Sequence, residues 1–168
     1  NGKGRHSVAQ DMTDVTPSNA NVASVERFIP APAEQIFELL ANPARHRDID
    51  GSGTVRDADS GSTRLTLGAT FGMSMKAGLG YRMENEVVEF EEGRCIAWQP
   101  RPSVKFMRRF AGGRIWRYEL EPVEGGTTVR ESWDISQEVH ARMVRPMRGA
   151  TVKAMAATLE RIEQVLSR

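Results

Sequence analysis

The sequence predicts an α+β domain: a curved antiparallel sheet closed on its apolar side by one long C-terminal helix. Three observations carry that expectation. Apolar or small side chains recur at Thr151, Met155, Leu159, Ile162 and Leu166, in steps of four, four, three and four, which is one stripe of an α-helix. Ahead of that stripe, strand-like segments follow one another through tight connections at Glu92-Gly93 and Glu124-Gly125-Gly126. No helical crossover separates these segments, so an antiparallel arrangement is expected rather than a parallel one. The terminal helix is then the only long element available to cover the sheet.

The whole chain is consistent with this. Its 168 residues suit one domain with a real core. Charged residues make up 27% and the formal net charge is +1, which argues against disorder and against a general nucleic-acid-binding field. No apolar run approaches the roughly 18 residues of a transmembrane helix. The N-terminus lacks an apolar signal core, and Cys95 is the only cysteine, so no internal disulfide can form. A reducing cytoplasm is the expected setting. One cysteine and three scattered histidines do not suggest structural zinc, and no metal or cofactor is expected.

The elements follow in order. Residues 1–20 are polar and aperiodic and read as a disordered leader or an expression remnant, with Met12 available as a start; residues 21–168 form the single expected domain. Val22 to Ile29 reads as a strand that Pro30 ends. Pro32 to Leu40 reads as a helix, with Pro32 at its start and Glu34 in its first turn, where the dipole favours an acid. Ile36, Phe37, Leu39 and Leu40 form its buried side, and Asn42-Pro43 stops it; a second short helix is expected over Ala44 to Ile49. After a loop with at most a short strand near Val55 come strands over Thr63–Met75, Leu79–Glu91, Arg94–Gln99, Gly113–Glu121 and Thr127–Ser136. The last helix should run from Pro146 to Ser167, roughly 33 Å at 1.5 Å per residue, with Pro146 in its first turn or at a kink if helix already begins near Glu138. Its first half is crowded with small residues from Gly149 to Thr158, and its second half with Leu159, Ile162, Val165 and Leu166. Small residues facing a sheet leave a hollow or allow close packing; both readings stay open at this point.

Three stretches resemble a known superfamily. They are Ala31-Pro32-Ala33-Glu34-Gln35-Ile36-Phe37-Glu38-Leu39-Leu40, the segment Val87 to Trp98, and the segment Tyr118 to Val129. Together they resemble the START-like (SRPBCC) superfamily, in its polyketide cyclase/dehydrase and lipid-transport branch. The resemblance covers about Val22 to Arg168. It implies a helix-grip fold, with a seven-stranded antiparallel sheet wrapped around the C-terminal helix and a ligand cavity between them. These motifs are structural and say little about function.

Strand periodicity nominates the cavity residues. Val129, Glu131, Trp133 and Ile135 share one face of the last strand; Trp116, Tyr118 and Leu120 share one on the strand before; so do Ile96 and Trp98. If these faces line one cavity, it holds three tryptophans, a tyrosine and a buried acid, and suits a flat, mostly apolar ligand with a polar group. The expected ligand-binding set is Trp98, Trp116, Tyr118, Glu131, Trp133, Met147, Thr151 and Met155. The alternative is that the aromatics are plain core and that Glu131 faces outward to pair with Arg117 or Arg130. Met73, Met75, Met83, Met107, Met143, Met147 and Met155 suit either a plastic cavity or gap-filling core. Gly68, Gly72, Gly78 and Gly80 permit sheet curvature and lack the context of a phosphate loop.

Two function classes follow. One is a carrier for a hydrophobic, lipid- or polyketide-like molecule, without nucleic acid or integral membrane association, and with a homodimer left open. The other is a polyketide cyclase or dehydratase using general acid/base chemistry, for which Glu131, His46 and Tyr118 are the candidate catalytic residues. The resemblance also admits chaperone-linked activation, as in another branch of the superfamily. His46 and His140 could equally be solvated helix-end residues. Arg101, Lys105, Arg108, Arg109 and Arg114, interleaved with Phe106, Met107 and Phe110, read as a loop that gates the cavity or touches an anionic headgroup, or else as a solvated hairpin tip. Cys95 is expected to be buried and inert.

Overall fold

The computed structural model of the chain describes residues 19–53, 55–58, 63–75, 82–102, 106, 109 and 112–168. The expected leader up to residue 18, Leu79, Gly78 and Gly80, and Lys105, Met107, Arg108 and Phe110 of the basic segment lie outside the described residues, as do the side chains of Met73, Met75 and Met83.

β1 (Val22–Ile29) ends at Pro30, and α1 (Ala33–Ala41) starts after Pro32 with Glu34 in its first turn. Ile36, Phe37, Leu39 and Leu40 are all buried. Asn42 closes α1, and its side chain accepts from the Ala44 backbone N–H at 3.1 Å. A 3₁₀ turn (Pro43–Arg45) leads into α2 (His46–Ile49). Then come β2 (Val55–Ala58), β3 (Thr70–Met75), β4 (Arg82–Glu91), β5 (Cys95–Pro102), β6 (Ile115–Val123) and β7 (Gly126–Asp134).

The sheet runs in the order β1-β7-β6-β5-β4-β3-β2, with every neighbouring pair antiparallel. Six long strands make the curved wall, and the four-residue β2 extends it at the outer edge. The final helix packs on β1, β7, α1 and α2, which is the helix-grip arrangement.

Several element ends shift by up to three residues, as where β5 runs on to Pro102, and two differences go further. The strand expected from Thr63 begins only at Thr70. Gly68 takes φ +78°, a conformation that interrupts a ladder, and the Leu65 backbone N–H is already committed to the Ala41 carbonyl at 2.7 Å. Leu65 buries its side chain under this loop instead. The terminal helix is also not continuous. α3 (Ala141–Val144) and a 3₁₀ turn (Arg145–Met147) precede α4 (Arg148–Leu166). Pro146 lacks an N–H and crowds the preceding turn, so the helical path breaks there and the 19-residue α4 is about 28 Å long.

Candidate functional site

The last three long strands set the chemistry. In register, Trp98 faces Trp116 and Trp116 faces Trp133, so one row of tryptophans crosses β5, β6 and β7. Two residues along, Ile96 faces Tyr118 and Tyr118 faces Glu131, which in turn faces Val25 of β1. Cross-strand neighbours on one face lie close enough for side chains to meet. The Tyr118 hydroxyl accordingly donates to Glu131 Oε1 at 2.8 Å, with both groups buried.

Glu131 is 2% exposed, and its other oxygen, Oε2, has no hydrogen-bond partner among the described residues. Removal from water pushes its pKa up from 4.5 to about 8; the Tyr118 hydrogen bond pulls the other way and the charge of Asp50 adds to the rise. The outward-facing alternative fails, because Arg117 is engaged by Glu89 and Arg130 by Glu26 on the opposite face. Burial and the neighbouring Glu131 hold the Tyr118 phenol well above its ordinary value.

His46 is not a solvated helix-end residue. It is 5% exposed, stacked on Trp98 with ring centroids 5.1 Å apart and set edge-on to Phe71. Its Nε2–H donates to the Leu40 carbonyl at 2.8 Å, which fixes the tautomer because a carbonyl can only accept. Burial lowers its pKa, so the ring is neutral at pH 7. Trp98 lies between His46 and Tyr118, its ring centroids 5.1 and 5.3 Å from theirs. No hydrogen bond joins His46 to Glu131 or Tyr118 among the described residues.

These side chains open on one cavity of about 710 Å³ between the sheet, α2 and the first half of α4. It is lined by Trp98, Trp116, Tyr118, Glu131, Trp133, Met147, Thr151 and Met155, and by His46. The small residues of α4 leave the space, and one close approach fixes its edge. Gly51 sits so near α4 that a Cβ there would lie 2.3 Å from the Ala154 carbonyl oxygen, and its N–H donates to Thr158 Oγ1 at 3.0 Å.

The wall also contains Ile49, Asp50, Ser52, Asn85, Pro100 and Lys153, none of them nominated from the sequence as ligand-contacting, and Arg114 of the basic segment. Asn85 carried a readable signal: it is a poor strand former inside a strand and shares its face with Val87. Arg114 also holds the buried Glu138 carboxylate at 2.9 Å. His140 is exposed at the start of α3. The Cys95 thiol is half-buried and pushed up to about 11, chiefly by burial, so it stays protonated. Among the described residues no three His, Cys, Asp or Glu side chains converge as a metal site would need. No described helix is long and apolar enough to cross a membrane.

Residues 21–167 match the family described as Polyketide cyclase / dehydrase and lipid transport. The chain belongs to this polyketide cyclase/dehydrase and lipid-transport family. A curated relative is the uncharacterized protein Rv0088 of Mycobacterium tuberculosis, 34% identical over 128 residues, which are 74% of this chain and 53% of the relative. The chain thus spans about half the length of the curated relatives it matches. Among solved structures, a protein of Rhodobacter sphaeroides superposes with a TM-score of 0.70 at 16% identity, covering 94% of this chain and 98% of that one. Protein Ms6760 of Mycobacterium smegmatis gives 0.66, also at 16% identity and with the same coverage. At such identities the likeness establishes that this family member shares their fold.

Proposed function

We propose that the chain binds a flat, mostly apolar small molecule, lipid- or polyketide-like, with its one polar group on the Glu131 carboxyl. The observation that carries this reading is the buried Glu131 Oε2, without a partner among the described residues in a cavity lined by three tryptophans. A buried polar atom left unmet is costly, so a ligand atom is the natural partner. Tyr118 already donates to Oε1, which leaves Oε2 to carry the proton of the neutral acid and to donate to a carbonyl or ether oxygen. The volume is within the usual range for small-molecule sites. Family membership supports the same class of ligand. Residues 21–168 act as one domain in this reading, a cytoplasmic setting suits the lone cysteine, and the small molecule is the only partner it requires.

A second reading is favoured by the Tyr118–Glu131 pair itself. A neutral carboxylic acid held against a bound ketone is a general acid, so the same cavity suits a cyclase or dehydratase. His46, neutral and stacked on Trp98, lines the same cavity and would meet a bound ligand from the α2 side, without a hydrogen bond to the pair among the described residues.

Native mass spectrometry of freshly purified protein tests the shared claim. A co-purified mass released on denaturation, or saturable uptake of an apolar fluorescent probe that Thr151→Trp blocks, is expected. Absence of both overturns it. Glu131→Gln separates the readings: in a carrier it shifts affinity by about 1–3 kcal/mol, the scale of one altered buried hydrogen bond, whereas in an enzyme it abolishes turnover with affinity nearly intact.

A further inference from the structure

The segment leading into α4 carries features that ligand binding does not use. Val139, Met143 and Met147 recur in steps of four, and they are 46%, 75% and 52% exposed. Arg142, Arg145 and Arg148 recur in steps of three beside them. From Val139 to Leu159 the chain has no aspartate or glutamate, and Lys153 adds a further cation. Among the described residues none of these four cations has a carboxylate partner; Arg145 reaches the Asn21 side chain and Arg148 the Ala20 carbonyl. The far end of α4 is different, with Glu160 and Glu163 on its exposed side and Glu163 paired to Arg27. The basic, apolar end is also the cavity end. Met147 and Lys153 are both exposed and cavity-lining, which puts them on the rim. Asp50, the other carboxylate of the cavity wall, belongs to the α2 side.

We propose that this face, Val139 to Lys153, is a docking surface for an anionic phospholipid bilayer, with Met143 and Met147 entering the interface and the arginines meeting lipid phosphates. An exposed line of flexible apolar side chains flanked by guanidiniums is the pattern that lies in a membrane interface. Charge decides the kind of membrane, since an acid-free cationic face gains most from an anionic surface. An acidic protein would satisfy the arginines but would leave a three-quarters exposed Met143 without a purpose. Docking in this way sets the cavity rim against the lipid, whatever molecule the cavity holds.

The test is flotation of the whole chain with phosphatidylcholine vesicles, with and without phosphatidylglycerol. Binding only to the phosphatidylglycerol vesicles, weakening as salt rises, is expected. Arg142→Glu should lower partitioning about tenfold or more, because two charge units change near the surface. Met143→Ser should lower it several-fold. Both side chains are exposed, so melting temperatures should match the parent and exclude misfolding. An environment-sensitive dye on Met143→Cys, in a Cys95→Ser background, should shift to the blue on binding. The proposal is overturned by no binding at low salt, or by binding that neither variant weakens. It is equally overturned if Arg142→Glu alone matters and the dye stays in water, the result expected of electrostatic adsorption without Met143 entering the interface. The readout is partitioning to intact vesicles and the position of the Met143 dye, not occupancy of the cavity, so docking can fail while probe uptake stands and the reverse.

Discussion

The two halves of α4 do different work with the same backbone. From Leu159 onward, large side chains fill the space against the sheet: Leu159 and Ile162 are fully buried, with Val165 and Leu166 beside them. From Arg148 to Thr158 the helix borders the cavity with small side chains, Ala150, Thr151, Ala154 and Thr158, and with Met155, which is fully buried at the cavity wall. Each half meets its own part of the sheet. Aliphatic Val25, Leu120 and Val129 belong to the core and stay clear of the hollow, whereas Trp98 and Trp133 belong to that core and, with Trp116 and Glu131, also border the hollow. The lesson is that this helix separates stability from binding along its length mainly by side-chain volume, with Met155 serving both.

Substitutions at either half sharpen or break this division. The largest cost is expected in the filled half, where Ile162→Ala should lose about 2–5 kcal/mol in chemical denaturation while the folded fraction still takes up an apolar probe. A loss under 1 kcal/mol would mean that this half is not the anchor.

The next effect belongs to Glu131 and shows as pH dependence. Its pKa is near 8 when folded against an ordinary 4.5, so the folded state holds the extra proton between those values. Its contribution is therefore fully present below about pH 4.5 and is lost as pH rises through 8. Relative to Glu131→Gln, the parent should lose roughly 2–4 kcal/mol of stability across that window. Parallel stability–pH curves for the two proteins would show that the carboxyl is solvated or paired.

Gly51→Ala comes third. The new methyl group would strike the α4 backbone and should cost about 1–3 kcal/mol, with probe uptake reduced because the cavity edge moves. Smallest in stability is Thr151→Trp, which should shift melting by less than about 1 kcal/mol yet abolish uptake. Strong destabilisation with normal uptake would reverse the assignment of the two halves.

Much of this was legible before any coordinates. Period two placed Glu131 with Val129 and Trp133, and an unbroken strand kept that parity. Volume along the stripe separated Leu159 and Ile162 from the small residues before them. The Thr63–Ala69 segment misled because its alternation is real but its backbone is not: one glycine at positive φ and one hydrogen bond to Ala41 decide it. The place of His46 in the wall was offered by the sequence only as one of two readings, because its burial depends on α2 folding back over Trp98 and Phe71, a tertiary event with no local signature. Asp50, Arg114 and Lys153 reach the cavity from three separate elements, which no spacing rule connects.

The row of tryptophans has an optical consequence. All three indoles of the chain line the cavity, so its entire intrinsic tryptophan emission originates there. An aromatic guest that absorbs in the near ultraviolet would sit within quenching range of every emitter at once, and no label would have to be attached. The same arrangement makes tryptophan emission a selective witness during unfolding. It follows the wetting of the hollow, while circular dichroism follows the helix and sheet around it. A gap between the two transitions would measure how independently the cavity opens.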